Sequence, residues 1–185
     1  MNAITVVSML TFLLASTSHA QTINTYNISG KSADRLIQSM RSNGPQGFWA
    51  HTRNYWKYNY KYYQVNGLYE LGELSITRTV EITMPHWTDY SSASSCQQKN
   101  WDAMYGSLRR HEDTHVAIAD PVSAKLRRAI EAVRPKRSAA ELETAIDRAA
   151  NRVFEENRRA QALFDADTNH GKSDPRDPVL LKTCR

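Results

Sequence analysis

Trp101-Asp102-Ala103-Met104-Tyr105-Gly106-Ser107-Leu108-Arg109-Arg110-His111-Glu112-Asp113-Thr114-His115-Val116-Ala117-Ile118-Ala119 is the stretch that organises this chain. Trp101, Met104, Tyr105, Leu108, His111, Glu112, His115, Ile118 and Ala119 recur at the i, i+3, i+4, i+7 spacing of one helix face. Asn100 and Asp102 stand where an N-cap and a first-turn acid belong. Two histidines and a glutamate therefore share the apolar, inward stripe, while Arg109, Arg110 and Asp113 point elsewhere. A core face that carried three such groups merely as structure would need several polar partners, because unpaired buried polar groups are costly. His111-Glu112-Asp113-Thr114-His115 reads H-E-x-x-H, which sets two imidazoles one turn apart. They can take one Zn²⁺ as neutral nitrogen ligands, with Glu112 in reach of a water on the metal.

Upstream of this helix the pattern changes period. Ile23–Ile28 reads as a short strand, and Ser32 caps a helix with Ala33, Leu36, Ile37 and Met40 on one side, ended by Asn43-Gly44-Pro45. Phe48–Val65 is an aromatic-rich strand in which Trp56, Tyr58, Tyr60 and Tyr62 alternate with polar residues, as in a half-buried strand. Asn66-Gly67 is a hairpin turn signal. Leu74, Ile76, Val80, Ile82 and Met84 alternate with Ser75, Thr77, Thr79, Glu81 and Thr83, broken by Arg78, which predicts an antiparallel strand with one covered face, stopped by Pro85. A polar loop, Ser91–Ser95, leads to Cys96. Everything after Asn100 reads as helical: the H-E-x-x-H helix to about Asp120, closed by Pro121, a second helix over Val122–Val133, and a long one opened by the capping box Ser138-Ala139-Ala140-Glu141 and running to about Phe164. The order predicts an α+β fold, in which a small antiparallel sheet with an N-terminal helix packs on a helical C-terminal half.

Length and charge set the class. Of the 185 residues, Ile4–Ala15 form an apolar run ahead of Ser18-His19-Ala20, a small-x-small cleavage site; residues 1–20 read as a secretory signal peptide, too short to be a membrane span. Residues 21–185 are one domain, with no later segment apolar enough to cross a bilayer. Two cysteines, Cys96 and Cys184, suggest one disulfide in an oxidising compartment, tying the tail to the loop before the H-E-x-x-H helix. The net charge of +5 lies mainly on basic residues interleaved with acids in the second half, a solvated surface without any nucleic-acid motif. Residue order does not set an oligomeric state.

A catalytic zinc needs three protein ligands and an open position. The extended pattern H-E-x-x-H-x-x-G-x-x-H fails, since Ile118 and Pro121 stand at its last two fixed positions. Glu141, Glu143, Glu155 and Glu156 on the downstream helix are candidates, as are Asp165, Asp167 and His170 in the polar turn after it; Asp120 is too far round its helix. His170 is the first choice.

The chain resembles a bacterial family of predicted secreted zinc-dependent proteases, grouped as a domain of unknown function (DUF922). The matching pieces are Tyr26…Gly30-Lys31-Ser32…Leu36…Met40…Gly44-Pro45, Ala50-His51-Thr52-Arg53…Trp56, Met84-Pro85-His86-Trp87, Trp101…Leu108-Arg109-Arg110-His111-Glu112-Asp113-Thr114-His115…Ile118-Ala119, and Phe164-Asp165-Ala166-Asp167-Thr168-Asn169-His170-Gly171. Phe164 departs from the tyrosine that similar proteins often carry. The resemblance implies a metallopeptidase-like fold, a periplasmic or secreted home, a zinc cofactor and His170 as third ligand, because it falls in the family's second histidine-bearing motif. On this reading the enzyme hydrolyses a peptide or protein substrate, with Glu112 as general base and an oxyanion donor drawn from Tyr105, His86, Arg53 or His51. Two other readings stand beside it: a non-catalytic envelope module with a closed, four-ligand structural zinc, and a zinc amidase acting on cell-wall peptides.

Overall fold

The computed structural model describes residues 19–184, so the expected leader lies outside it except for its last two positions. Three strands form one sheet: β1 (His19–Ile28), β2 (His51–Val65) and β3 (Leu68–Trp87), in the order β1-β3-β2. Helix α1 (Ala33–Asn43) links β1 to β2, and α2 (Ser95–Ala119), α3 (Val122–Glu131) and α4 (Ala139–Thr168) follow the sheet. A tail over residues 169–184 closes the chain. The fold is α+β, as the order of periodicities predicted.

The sheet is mixed rather than antiparallel. β2 and β3 form the expected hairpin, with Asn66 and Gly67 both in the left-handed region (φ 51° and 81°), as a two-residue primed turn requires. β1 pairs with β3 in parallel, Ile23 opposite Ile82 and Ile28 opposite Trp87. The crossover through α1 returns the chain alongside the sheet and allows this direction. β3 is also longer than predicted and runs through Pro85. There β2 has already ended, with His51 opposite Thr83, so proline's missing N–H faces a strand with one neighbour only.

Two apolar clusters fill the covered face. One gathers Ile28 from β1, Leu36 and Met40 from α1, Val80, Ile82 and Met84 from β3, Trp101, Met104 and Leu108 from α2, and Val179 from the tail. The other gathers Ile76 with Val122, Leu126 and Ile130 of α3 and Leu142, Ile146 and Val153 of α4. Trp56, Tyr58 and Tyr60 pack against it from β2, so the aromatic strand is half-buried, as alternation suggested.

Arg78 stands on β3 between Ile76 and Val80, at the seam of the two clusters. Far from breaking the covered face, its side chain is wholly buried within it. Its guanidinium donates to Asn54 Oδ1 (2.6 and 3.0 Å), to the Val116 carbonyl (2.9 Å) and to Asp120 Oδ1 (2.7 Å), beside the Trp56 ring. A buried cation is tolerable only with such a full set of acceptors. Val116 and Asp120 lie at the C-terminal end of α2, where a cation also meets the negative end of the helix dipole, and Asn54 and Trp56 come from β2.

The start of α2 differs from the sequence reading. The helix opens at Ser95, not near Asn100, because Ser94 and Gln97 cap each other reciprocally. Asn100 lies inside the helix and donates to the Lys182 carbonyl (3.2 Å), and Asp102 accepts from Tyr90 (2.9 Å). Cys96 is joined to Cys184 as expected, across a sequence separation of 88. Among the described residues no helix is long and apolar enough to cross a membrane.

Two outcomes follow from this scaffold. Arg78→Ala is expected to lower the unfolding free energy by about 3 kcal/mol in urea titration, because it empties a buried position and leaves Asn54 and the Val116 carbonyl without their donor. Cys96→Ser with Cys184→Ser should cost up to about 4 kcal/mol, the loop entropy of so long a closure, with the same transition shape.

Candidate metal centre

The site is built where the middle of α2 meets the last turn of α4. The 3.6-residue period of α2 puts His111, Glu112 and His115 on its inward side, all three buried. Their ring nitrogens converge: His111 Nε2 and His115 Nε2 are 3.2 Å apart. Asp165 Oδ1 completes a triangle, 3.3 Å from His111 Nε2 and 3.1 Å from His115 Nε2. Among the described residues His111, His115 and Asp165 form a group able to hold a metal ion.

The hydrogen bonds around the group decide what it can hold. The amide of Gln161 donates from Nε2 to the His115 carbonyl (3.0 Å), which fixes its orientation, so its Oε1 must accept from His115 Nδ1 (2.5 Å). The neutral His115 ring therefore carries its proton on Nδ1 and aims a bare Nε2 lone pair at the Asp165 carboxylate. Two electron pairs at that distance repel unless a cation stands between them. Bond lengths of about 2.0–2.1 Å to a tetrahedral ion would place neighbouring donor atoms about 3.3 Å apart, which is the spacing of this triangle. The donor set thus fits a small divalent metal ion. Burial, then the nearby His115, lowers the pKa of His111, which favours the neutral, ligating imidazole. His111 Nδ1 is buried without a hydrogen-bond partner, packed against the backbone of Gly171.

α4 is longer than its sequence pattern suggested, and this matters at the site. It continues to Thr168, so Asp165 belongs to its last turn rather than to a polar loop. Asn157, Gln161 and Asp165 follow at i, i+4 and i+8 and all line the same cavity, a polar stripe aimed at α2. Phe164 stacks on His111 (4.8 Å between ring centroids) and meets His115 edge-on (5.0 Å), restricting both imidazoles.

After Thr168 the chain reverses through three consecutive left-handed residues, Asn169, His170 and Gly171 (φ 48°, 52° and 81°). That reversal carries His170, the expected third ligand, back to the cluster, with Nδ1 3.3 Å from the same Asp165 oxygen. Its half-exposed ring lies against Phe48, with 5.1 Å between ring centroids. The other candidate acids do not join. Glu155 pairs with Arg158 and Arg159, Glu156 with Lys125, Asp120 with Arg78, and Glu141 caps the start of α4 at the Arg137 amide. Tyr62 sits beside Glu143, and Asp167 is exposed.

Glu112 faces the same cavity, whose volume is about 380 Å³. Thr52, near the start of β2, donates to Glu112 Oε2 at 2.7 Å. Burial raises the carboxyl pKa, while the Thr52 hydrogen bond and then His115 oppose the rise. Of the four expected oxyanion donors, His51 alone lines the cavity. Burial, then Arg53 and His115, lower its pKa, and Arg53 Nε donates to its Nδ1 (3.3 Å), so the neutral ring keeps its proton on Nε2. Tyr105 packs on Trp101, and His86 is exposed. Gln161, Thr52 and Asn157 escaped the sequence reading; the i, i+4 spacing of Gln161 to Asp165 was the available signal.

Gly171 is the tightest joint of the site. A Cβ there would lie 2.7 Å from Val179 Cγ2 and 3.2 Å from His111 Nδ1, on a backbone that side chains rarely adopt. Gly171→Ala should therefore destabilise the fold by about 1–2 kcal/mol and weaken divalent-metal binding, read by thermal melts with and without added metal.

Residues 23–171 match the family described as "Bacterial protein of unknown function (DUF922)", a span that holds His111, Glu112, His115, Asp165, His170 and Gly171. Neither the curated proteins nor the solved structures gave a match. Because the match covers most of the chain, the protein belongs to the DUF922 family of bacterial proteins.

Proposed function

We propose that this protein is an exported zinc-dependent metallopeptidase. The observation that carries the reading is the triangle of His111 Nε2, His115 Nε2 and Asp165 Oδ1 in a cavity that also holds Glu112. Nitrogen and carboxylate donors at this spacing suit Zn²⁺. Three protein ligands with a cavity beside them suit a catalytic rather than a closed site. Bound zinc would polarise a substrate carbonyl and lower the pKa of a coordinated water.

The chain's own groups supply the rest. His111, His115 and Asp165 hold the metal, and Gln161 and Phe164 fix the rings. His170, with Nδ1 3.3 Å from Asp165 Oδ1, braces that carboxylate beside the metal group. Thr52 anchors Glu112 Oε2 and leaves Oε1 to take a proton from water and return it to the leaving amine. The raised pKa of Glu112 suits a group that must both accept and release a proton near neutrality. His51 Nε2–H is the donor available to a developing oxyanion. β3 is the central strand, so β2 offers the free edge along which an extended peptide can pair, starting beside His51. Export is supported by the disulfide, which suits an oxidising compartment, and by the leader-like first twenty residues.

One observation favours the rival reading of a structural zinc. His170 Nδ1 lies 3.3 Å from Asp165 Oδ1, so a small shift of its ring would add a fourth donor to the group. Against it stand the cavity and Glu112, since a closed staple needs no base beside the metal.

Purified protein should bind one zinc. Glu112→Gln is expected to keep the metal and lose at least about a hundredfold in peptide hydrolysis. Asp165→Ala should abolish stoichiometric zinc, whereas His170→Ala weakens affinity by about 10–100-fold, the size expected for a bracing group. Equal zinc loss in the two variants would return His170 to the metal itself. Unchanged hydrolysis in Glu112→Gln, or failure of a hydroxamate to bind the zinc-loaded protein, would overturn the peptidase reading.

A further inference from the structure

The cavity beside the metal group carries two cations that the chemistry above does not use. Arg41 comes from the last turn of α1, and Lys172 from the reversal after α4. Residues far apart in sequence thus bring positive charge to the same cavity wall. Both side chains are exposed, and among the described residues neither has an ion pair. Lys172 Nζ stands over the Trp49 ring, 5.9 Å from its centroid, a contact that favours the ammonium's position beside the cavity. Of the two acids that line the cavity, Glu112 accepts from Thr52 and Asp165 faces three imidazoles, so neither is paired with Arg41 or Lys172. Two cations thus share the cavity with two carboxylates, and a divalent ion held by His111, His115 and Asp165 would tip the balance to positive toward any ligand that reaches it, where field lines concentrate in a concave site.

We propose that Arg41 and Lys172 are specificity determinants that select substrates bearing a carboxylate next to the bond to be cut. This inference rests on the peptidase reading for its reaction, but the anion selectivity is a property of the wall itself. A carboxylate can come from an acidic side chain or from a free peptide C-terminus, and both would meet the same guanidinium and ammonium. Arg41 can hold both carboxylate oxygens in a fork, and Lys172 adds a point charge on its Trp49 platform. Phe48 and Trp49 offer apolar surface to the stem that bears the charge.

The test uses the full mature chain, loaded with zinc, as the Glu112→Gln variant, so that binding is read without turnover. Calorimetry compares three short peptides that differ only in charge: a neutral amide, the same peptide with an internal glutamate in place of glutamine, and the neutral peptide with a free C-terminal carboxylate. Tighter binding by about tenfold is expected for one or both carboxylate peptides, and the difference should shrink as salt rises. Selective gain from the internal glutamate identifies a side-chain carboxylate; selective gain from the free C-terminus identifies an end-cutting enzyme. Arg41→Met with Lys172→Met should erase the difference, with unchanged zinc content and thermal midpoint as the check on folding. Equal binding of acid and amide peptides, binding of none of them, or a preference that survives in the double variant would overturn the proposal. Hydrolysis of the same peptides by the Glu112-containing protein is scored separately. Carboxylate preference without cleavage would overturn the peptidase reading and keep the anion wall, and cleavage without preference would do the reverse.

Discussion

A bare imidazole lone pair aimed at a carboxylate is the constraint around which this protein is arranged. Gln161 fixes the His115 proton on Nδ1, so Nε2 meets Asp165 at 3.1 Å with nothing of its own to offer but electrons. His111 Nε2 enters the same space. Partly buried from water, such an arrangement is stable only with a positive charge at its centre, whether a proton or a metal ion. Burial lowers the pKa of His111, which favours its neutral, ligating form, and the three donors together can hold a metal ion.

Holding three donors this close demands stiff supports on every side. α2 is clamped at both ends: the disulfide ties its first turn to the tail, and Arg78 collects Val116 and Asp120 at its last. The tail is itself part of the site. Asp177 meets Ser107 and Arg110 of α2, and Val179 donates to the Gly171 carbonyl, which presses the reversal onto His111. Phe164 then fills the angle between the two imidazoles. The three donors are therefore preorganised by packing as well as by hydrogen bonds.

Much of this was legible from residue order. Helix periodicity alone placed His111, Glu112 and His115 on one inward face, because that relation is local and set by 3.6 residues per turn. Strand alternation found the covered face of β3, and Asn66-Gly67 found the hairpin. The misreadings share a cause. Pro85 ends a strand only where a neighbouring strand needs its N–H, and which side of β3 lacks a neighbour there is known only once β1 and β2 are in place. Arg78 looked like an interruption because its acceptors come from β2 and from the end of α2. The parallel direction of β1 likewise depends on where α1 sends the chain.

The sequence by itself determined the histidine pair able to take a metal, the glutamate beside it, the hairpin and the α+β order, since each rests on spacing within one element. Tertiary structure alone decided the centre. It carried α4 one turn further, so that Asp165 rather than His170 alone faces the two imidazoles, and it brought Thr52, Gln161, Arg41 and Lys172 to one cavity. Those groups lie on different elements, and no local period relates them. Their meeting is set by how helices and sheet pack over a shared apolar core, which is a long-range outcome of burial rather than of spacing.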